Sequence, residues 1–171
     1  MLKPDWQLCA YAYRINDNGN GVVWALPKTA PEPPILYEEN TSLSNPPRPS
    51  FVCSFAEGLD GDSSHASYMQ ASILIREITE FAALWHGVSW GTHEIVSLLP
   101  EWVSNARKAN FDLRPKVQIE VDGKVIVTFY TTCGLGRVRL IQHRDQYHLR
   151  SYNPVEMLSQ TIAIGGFGYV H

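Results

Sequence analysis

ASILIREITEFAALW, residues 71–85, places apolar side chains at Ala71, Leu74, Ile75, Ile78, Phe81, Ala82 and Trp85. That is the i, i+3, i+4, i+7 spacing of one helical face, with Gln70, Arg76, Glu77 and Glu80 on the opposite side. Burying such a stripe contributes roughly 1.5–3 kcal/mol for each large side chain, so this helix is expected to nucleate the core. EGLDGDSS (57–64) precedes it and supplies breakers and caps, with Asp62 or Ser64 expected to take the first free amide. The Asp60, Asp62, Ser64 alternation lacks the glycine and glutamate that a calcium loop requires.

At its far end the helix runs into ALWHGVSWGTHEIV (83–96). Gly87 and Gly91 weaken a helix, so it is expected to extend from about Ser64 to His86. Thr92 is then expected to cap a new short helix with Glu94 in its first turn. The rings and polar groups here admit two readings: a packed helix end, or a pocket formed by Trp85, His86, Trp90, His93, Glu94 and Tyr130. A zincin helix needs a second histidine where Ser97 stands, so no metal is expected. A further helix is expected near 100–109, with Pro100 at its first turn and Trp102 and Val103 turned inward.

Strand patterns flank this region. WQLCAYAYR and GVVWALP enclose NDNGNG and read as a β-hairpin, its first strand apolar on both faces and expected to be covered on both. FVCSF (51–55) reads as a short strand. KVQIEVDGKVIVTFY (116–130) turns at Asp122-Gly123. A two-residue turn there pairs Ile119 with Ile126 and Val117 with Thr128. Its second strand is apolar on both sides, which places it centrally in a sheet. RVRLIQHRDQYHLRSYN (137–153) reads as another hairpin turning at Arg144-Asp145, with Arg139 opposite Arg150. In that register Arg137, Arg139, His148, Arg150 and Tyr152 share one face. Like charges so opposed call for an acidic or anionic partner. IAIGGFGYVH closes the chain as a strand in which glycines mark a bend or a close approach.

Together these elements define an α+β fold: a curled antiparallel sheet packed on one long amphipathic helix, within a single domain spanning residues 1–171. Residues 28–50 hold six of the eleven prolines and read as a long loop or arm. Hydrophobic residues make up 44% and charged ones 18%, which excludes wholesale disorder. Through Pro100 there are five Lys/Arg against eleven Asp/Glu, and from Glu101 nine against six. The net charge of −3 lacks the strongly basic footprint of a nucleic-acid binder. Cys9, Cys53 and Cys133 have neither an even count nor C-x-x-C spacing, so reduced thiols are expected. No apolar run suits a secretory leader or a membrane span, and a cytoplasmic location is expected.

No dinucleotide fingerprint, nucleophile elbow or phosphate loop is present, and no cofactor and no catalytic residue are assigned. The expected function is a non-catalytic binding or adaptor protein, contacting a protein or anionic partner, or a second copy of itself, through the arginine ribbon. The alternative is a pocket protein binding a small molecule between helix and sheet, with or without enzymatic activity. A filled interior would exclude the pocket; an open one holding a buried ionisable group would favour it over the adaptor.

Overall fold

The run of β-branched and aromatic residues along 124–133, buried on both faces, builds one long strand; residues 137–148 pair beside it, and the rest of the main sheet assembles on these two. The computed structural model describes residues 2–15, 18–30, 53–81, 90–103 and 112–168. Most of the proline-rich segment, Trp85, His86 and most of the expected 100–109 helix lie outside them.

A three-stranded sheet holds β1 (Trp6–Ile15), β2 (Asn18–Pro27) and β3 (Cys53–Ser54), in that order. One α-helix among the described residues, α1 (His65–Thr79), follows. The larger sheet contains β4 (His93–Ile95), β5 (Lys116–Ile119), β6 (Lys124–Cys133), β7 (Arg137–His148) and β8 (Glu156–Phe167). Every pairing is antiparallel. β6 is central as expected: β5 and β4 pair with successive halves of one edge, and β7 pairs with the other. The α+β class stands, but neither sheet is strongly curled; the described residues form two sheets instead of one bent sheet.

One core cluster unites both sheets with the helix. Val23, Phe55 and Leu59 meet Tyr68 and Ala71 of α1, and Val125, Val127, Phe129, Tyr147 and Tyr152 beneath it. The opposite face of β6–β8 packs separately, with Tyr130, Leu140 and Ala163 against Val103 and Leu113. β1 is not covered on both sides, because Leu8 is 47% exposed.

Ser64 is the helix N-cap, its hydroxyl accepting from the Ser67 amide at 3.2 Å, while Asp62 accepts from the Ser64 amide at 2.9 Å. Ser64→Ala is expected to cost about 1 kcal/mol, lowering Tm by about 2–4 °C in thermal unfolding. The helix is shorter than expected. It ends at Thr79, and both carboxylate oxygens of the next residue, Glu80, accept the Trp90 amide at 2.7 and 2.8 Å. Its inward face is also rotated from the purely apolar stripe. Tyr68, Ala71 and Ser72 are its buried residues, Leu74, Ile75 and Ile78 pack at the margin, and Arg76 points inward.

Three local expectations are corrected. The turn after β5 has Gly123 at φ 83, and Glu120 and Lys124 close it, which makes a three-residue loop. The register moves by one, so that Ile119 faces Val125 and Val117 faces Val127. Arg144-Asp145 is not a turn: β7 runs through it, and Asp145 is buried against α1. The actual reversal follows His148 and holds Arg150 at φ 68, its amide donating to the Tyr68 hydroxyl at 2.7 Å. Finally, Trp90–Thr92 form a 3-10 turn and His93–Ile95 a strand, where a capped helix was expected.

The glycine readings near the C-terminus fare better. A Cβ at Gly165 would come within 2.8 Å of the Trp102 ring, so glycine admits the indole onto β8. Gly168 donates its amide to Gly136, which joins the 133–136 turn to the end of β8.

Candidate functional site

β7 alternates strictly, so Arg139, Ile141, His143, Asp145 and Tyr147 share the face beneath α1. The helix covers only part of that face. Ser72 and Tyr147 hydroxyls bond at 2.8 Å, and Arg76 grips Asp145 through two bonds of 2.6 and 2.7 Å. Burial pushes the Tyr147 phenol up to about 12. Beyond the end of the helix the sheet face opens into a cavity of about 420 Å³, lined by Arg76, Glu80, Trp90, His93, Arg139, His143 and their neighbours.

The lining is aromatic and polar at once. Trp90 stands 5.0 Å from the His93 ring and meets His143 edge-on at 5.6 Å, while His143 stacks on Phe129 at 4.7 Å. The Arg76 guanidinium lies over Trp90 and Phe129, 5.7 and 5.1 Å from the ring centres. A continuous chain of hydrogen bonds crosses the sheet. His93 Nδ1 and Thr131 Oγ1 are 2.9 Å apart, Thr131 Oγ1 and His143 Nε2 2.8 Å, and His143 Nδ1 and Ser159 Oγ 2.8 Å.

Both imidazoles are held neutral at pH 7. Burial brings His143 down to about 3, helped by the positive charge of Arg76. Burial also lowers His93, with Arg139 and Arg76 adding to the effect and Glu80 opposing it. Cys133 is buried beside Arg139, whose Nη2 donates to Sγ at 3.4 Å; the Thr92 hydroxyl lies 3.2 Å from the same sulfur. Burial raises this thiol, but hydrogen bonds from Thr92, the Leu135 backbone and Arg139 bring it below its ordinary value.

The residues expected from sequence are dispersed. Trp90 and His93 line the cavity. Glu94 and Tyr130 do not, because the pleat turns them to the other face, where Tyr130 packs with Leu140 and accepts from Gln142 at 2.9 Å. The arginine ribbon does not form. Arg137 and Arg139 stand at one end of β7 and His148 at the other, about 31–37 Å away along a fully extended strand. Arg139 faces Cys133 and Ile164 across the sheet, not Arg150. Tyr152 is buried, stacked on Tyr68 at 4.8 Å and bonded to the Ser67 hydroxyl at 2.7 Å. Arg150 borders a separate cavity of about 300 Å³ together with Lys3, Glu57 and Asp60.

His143, Thr131, Ser159 and Arg76 were missed. Their signal was the period-2 pattern of Ile141, His143, Asp145 and Tyr147, hidden once a turn was assigned at Arg144-Asp145.

No protein-family model, curated protein or solved structure matches this chain. Among the described residues, no three His, Cys, Asp or Glu are grouped to hold a metal ion, and no helix is long and apolar enough to cross a membrane.

Proposed function

We propose that this protein binds a small anionic molecule with a flat apolar part, in the cavity between the end of α1 and the sheet face formed by β4, β7 and β8. The observation that carries this reading is the setting of Arg139. Arg76 is paired with Asp145, the Glu80 carboxylate accepts the Trp90 amide, and the two histidines are neutral. Arg139 has no carboxylate partner among the described residues, where its hydrogen bond goes to Cys133. A half-buried guanidinium without a counter-ion favours a carboxylate or similar anion. Trp90 offers a flat wall beside it, and the volume lies within the ordinary range of roughly 300–1,000 Å³ for ligand pockets. The adaptor reading loses the arginine ribbon as its contact surface, since Arg139 and Arg150 do not share a face.

Benzoate and its neutral isostere benzamide separate the outcomes. In titrations of the full chain followed by NMR, benzoate is expected to shift the Trp90 indole and His93 resonances saturably, with benzamide at least about 10-fold weaker. Arg139→Gln is expected to remove that preference. Equal binding of the two probes would refute anion recognition, and no response to either would refute the pocket.

A further inference from the structure

We infer that His93, Thr131, His143 and Ser159 form a charge-neutral proton wire, through which a proton taken from the ligand at His93 is released to water at Ser159, on the edge strand that lines the same cavity. The inference rests on the pocket reading for the ligand only; the wire itself rests on geometry.

Each member comes from a different strand: His93 from β4, Thr131 from β6, His143 from β7 and Ser159 from β8. Three contiguous hydrogen bonds of 2.8–2.9 Å therefore traverse the sheet, about 14 Å across at ordinary strand spacing. Thr131 is fully buried and His143 is 2% exposed at the cavity wall, while Ser159 is exposed and lines the same cavity. His93 Nε2 has no bond to any described residue and belongs to a ring that lines the cavity.

A hydroxyl has one hydrogen to give, and a neutral imidazole has one N–H. When Thr131 links the rings as donor to one and acceptor from the other, it ties their tautomers together. In one state both rings carry Nδ1–H, and His93 Nε2 presents a bare lone pair to the pocket. In the other both carry Nε2–H. Conversion runs as follows: the ligand's bond to hydrogen breaks as His93 Nε2–H forms, and His93 Nδ1–H passes to Thr131 Oγ1. The hydroxyl hydrogen of Thr131 passes to His143 Nε2. His143 Nδ1–H passes to Ser159, whose own hydrogen goes to water. The ligand loses one proton, water gains one, and neither ring becomes charged.

That neutrality matters here. Arg76 from α1, Glu80 just past its end, Arg139 and Asp145 from β7 and Cys133 from β6 surround the rings, and burial opposes an imidazolium among them. A single buried histidine would have to hold the proton as a cation. A wire exports it.

The test uses the full chain labelled with 15N-histidine, reading ring tautomers by long-range imidazole spectra at pH 7 without ligand. Expected are matching tautomers at His93 and His143. The exposed substitution Ser159→Ala is expected to change the tautomer ratio at His93, a residue it does not touch, and to lose that effect when Thr131 is also replaced by Val. Opposite tautomers in the two rings would overturn the wire, because Thr131 would then face either two N–H donors or two bare nitrogens and could not relay a proton between them. So would a doubly protonated ring, a His93 ratio indifferent to Ser159→Ala, or an effect that survives Thr131→Val. Tautomers locked together in a protein that ignores benzoate would count against the pocket alone.

Discussion

Arg76→Met is expected to lower the unfolding free energy by about 3–5 kcal/mol, because it strands a charge that has no exposed surface. The Asp145 side chain is 0% accessible and the Arg76 side chain 11%. Arg76 satisfies both carboxylate oxygens, and its Nη1 also reaches the Ser72 carbonyl at 2.9 Å. Methionine keeps the stem that packs near Trp90 but leaves Asp145 with no cation. The double variant Arg76→Met, Asp145→Leu removes both charges and is expected to recover most of the loss, since the desolvation cost disappears with the pair. Urea denaturation of the four proteins measures the coupling. A single-variant loss below about 1 kcal/mol would mean that water reaches the pair, as at an exposed ion pair.

Acid is expected to weaken the fold earlier than carboxylate protonation alone would. His143 has its folded pKa lowered to about 3 from 6.5, so between those values the unfolded chain binds more protons. Stability from this residue is complete above the unfolded value and falls as pH drops toward the folded one. At roughly 1.4 kcal/mol per unit, His143 accounts for about 2 kcal/mol of loss between pH 7 and pH 5. His93 is shifted in the same direction and adds to the slope. His143→Phe keeps a ring against Phe129 and removes the titrating group. Its stability at pH 7 falls because Thr131 and Ser159 lose a partner, but its profile between pH 7 and pH 5 is expected to be distinctly flatter than that of the wild type. An unchanged slope would show that His143 does not remain neutral in the folded protein.

The same ion pair explains what the sequence could and could not disclose. The helix was legible because 3.6-residue periodicity is local, and Ser64 was legible as a cap because capping depends on a few neighbouring amides. The central place of β6 followed from apolar residues on both of its faces. Asp145 was misread because its partner lies 69 positions away, and beside Arg144 it looked like a solvated turn. Once β7 was cut there, the arginines fell on one imagined face, and His143 was never seen between Ile141 and Asp145. A one-residue slip at Gly123 shows the same sensitivity on a smaller scale. Trp90 and His93 were found as pocket candidates, but Glu94 and Tyr130 were grouped with them for want of the strand pairing that separates the faces.

Crystals of the full chain grown with and without benzoate test the central claim most directly. The expected result is a cavity that stays open without the probe. With it, the carboxylate should rest on the Arg139 guanidinium and the ring against Trp90, within reach of His93. A cavity filled by the protein's own side chains, or benzoate bound only elsewhere, would contradict it.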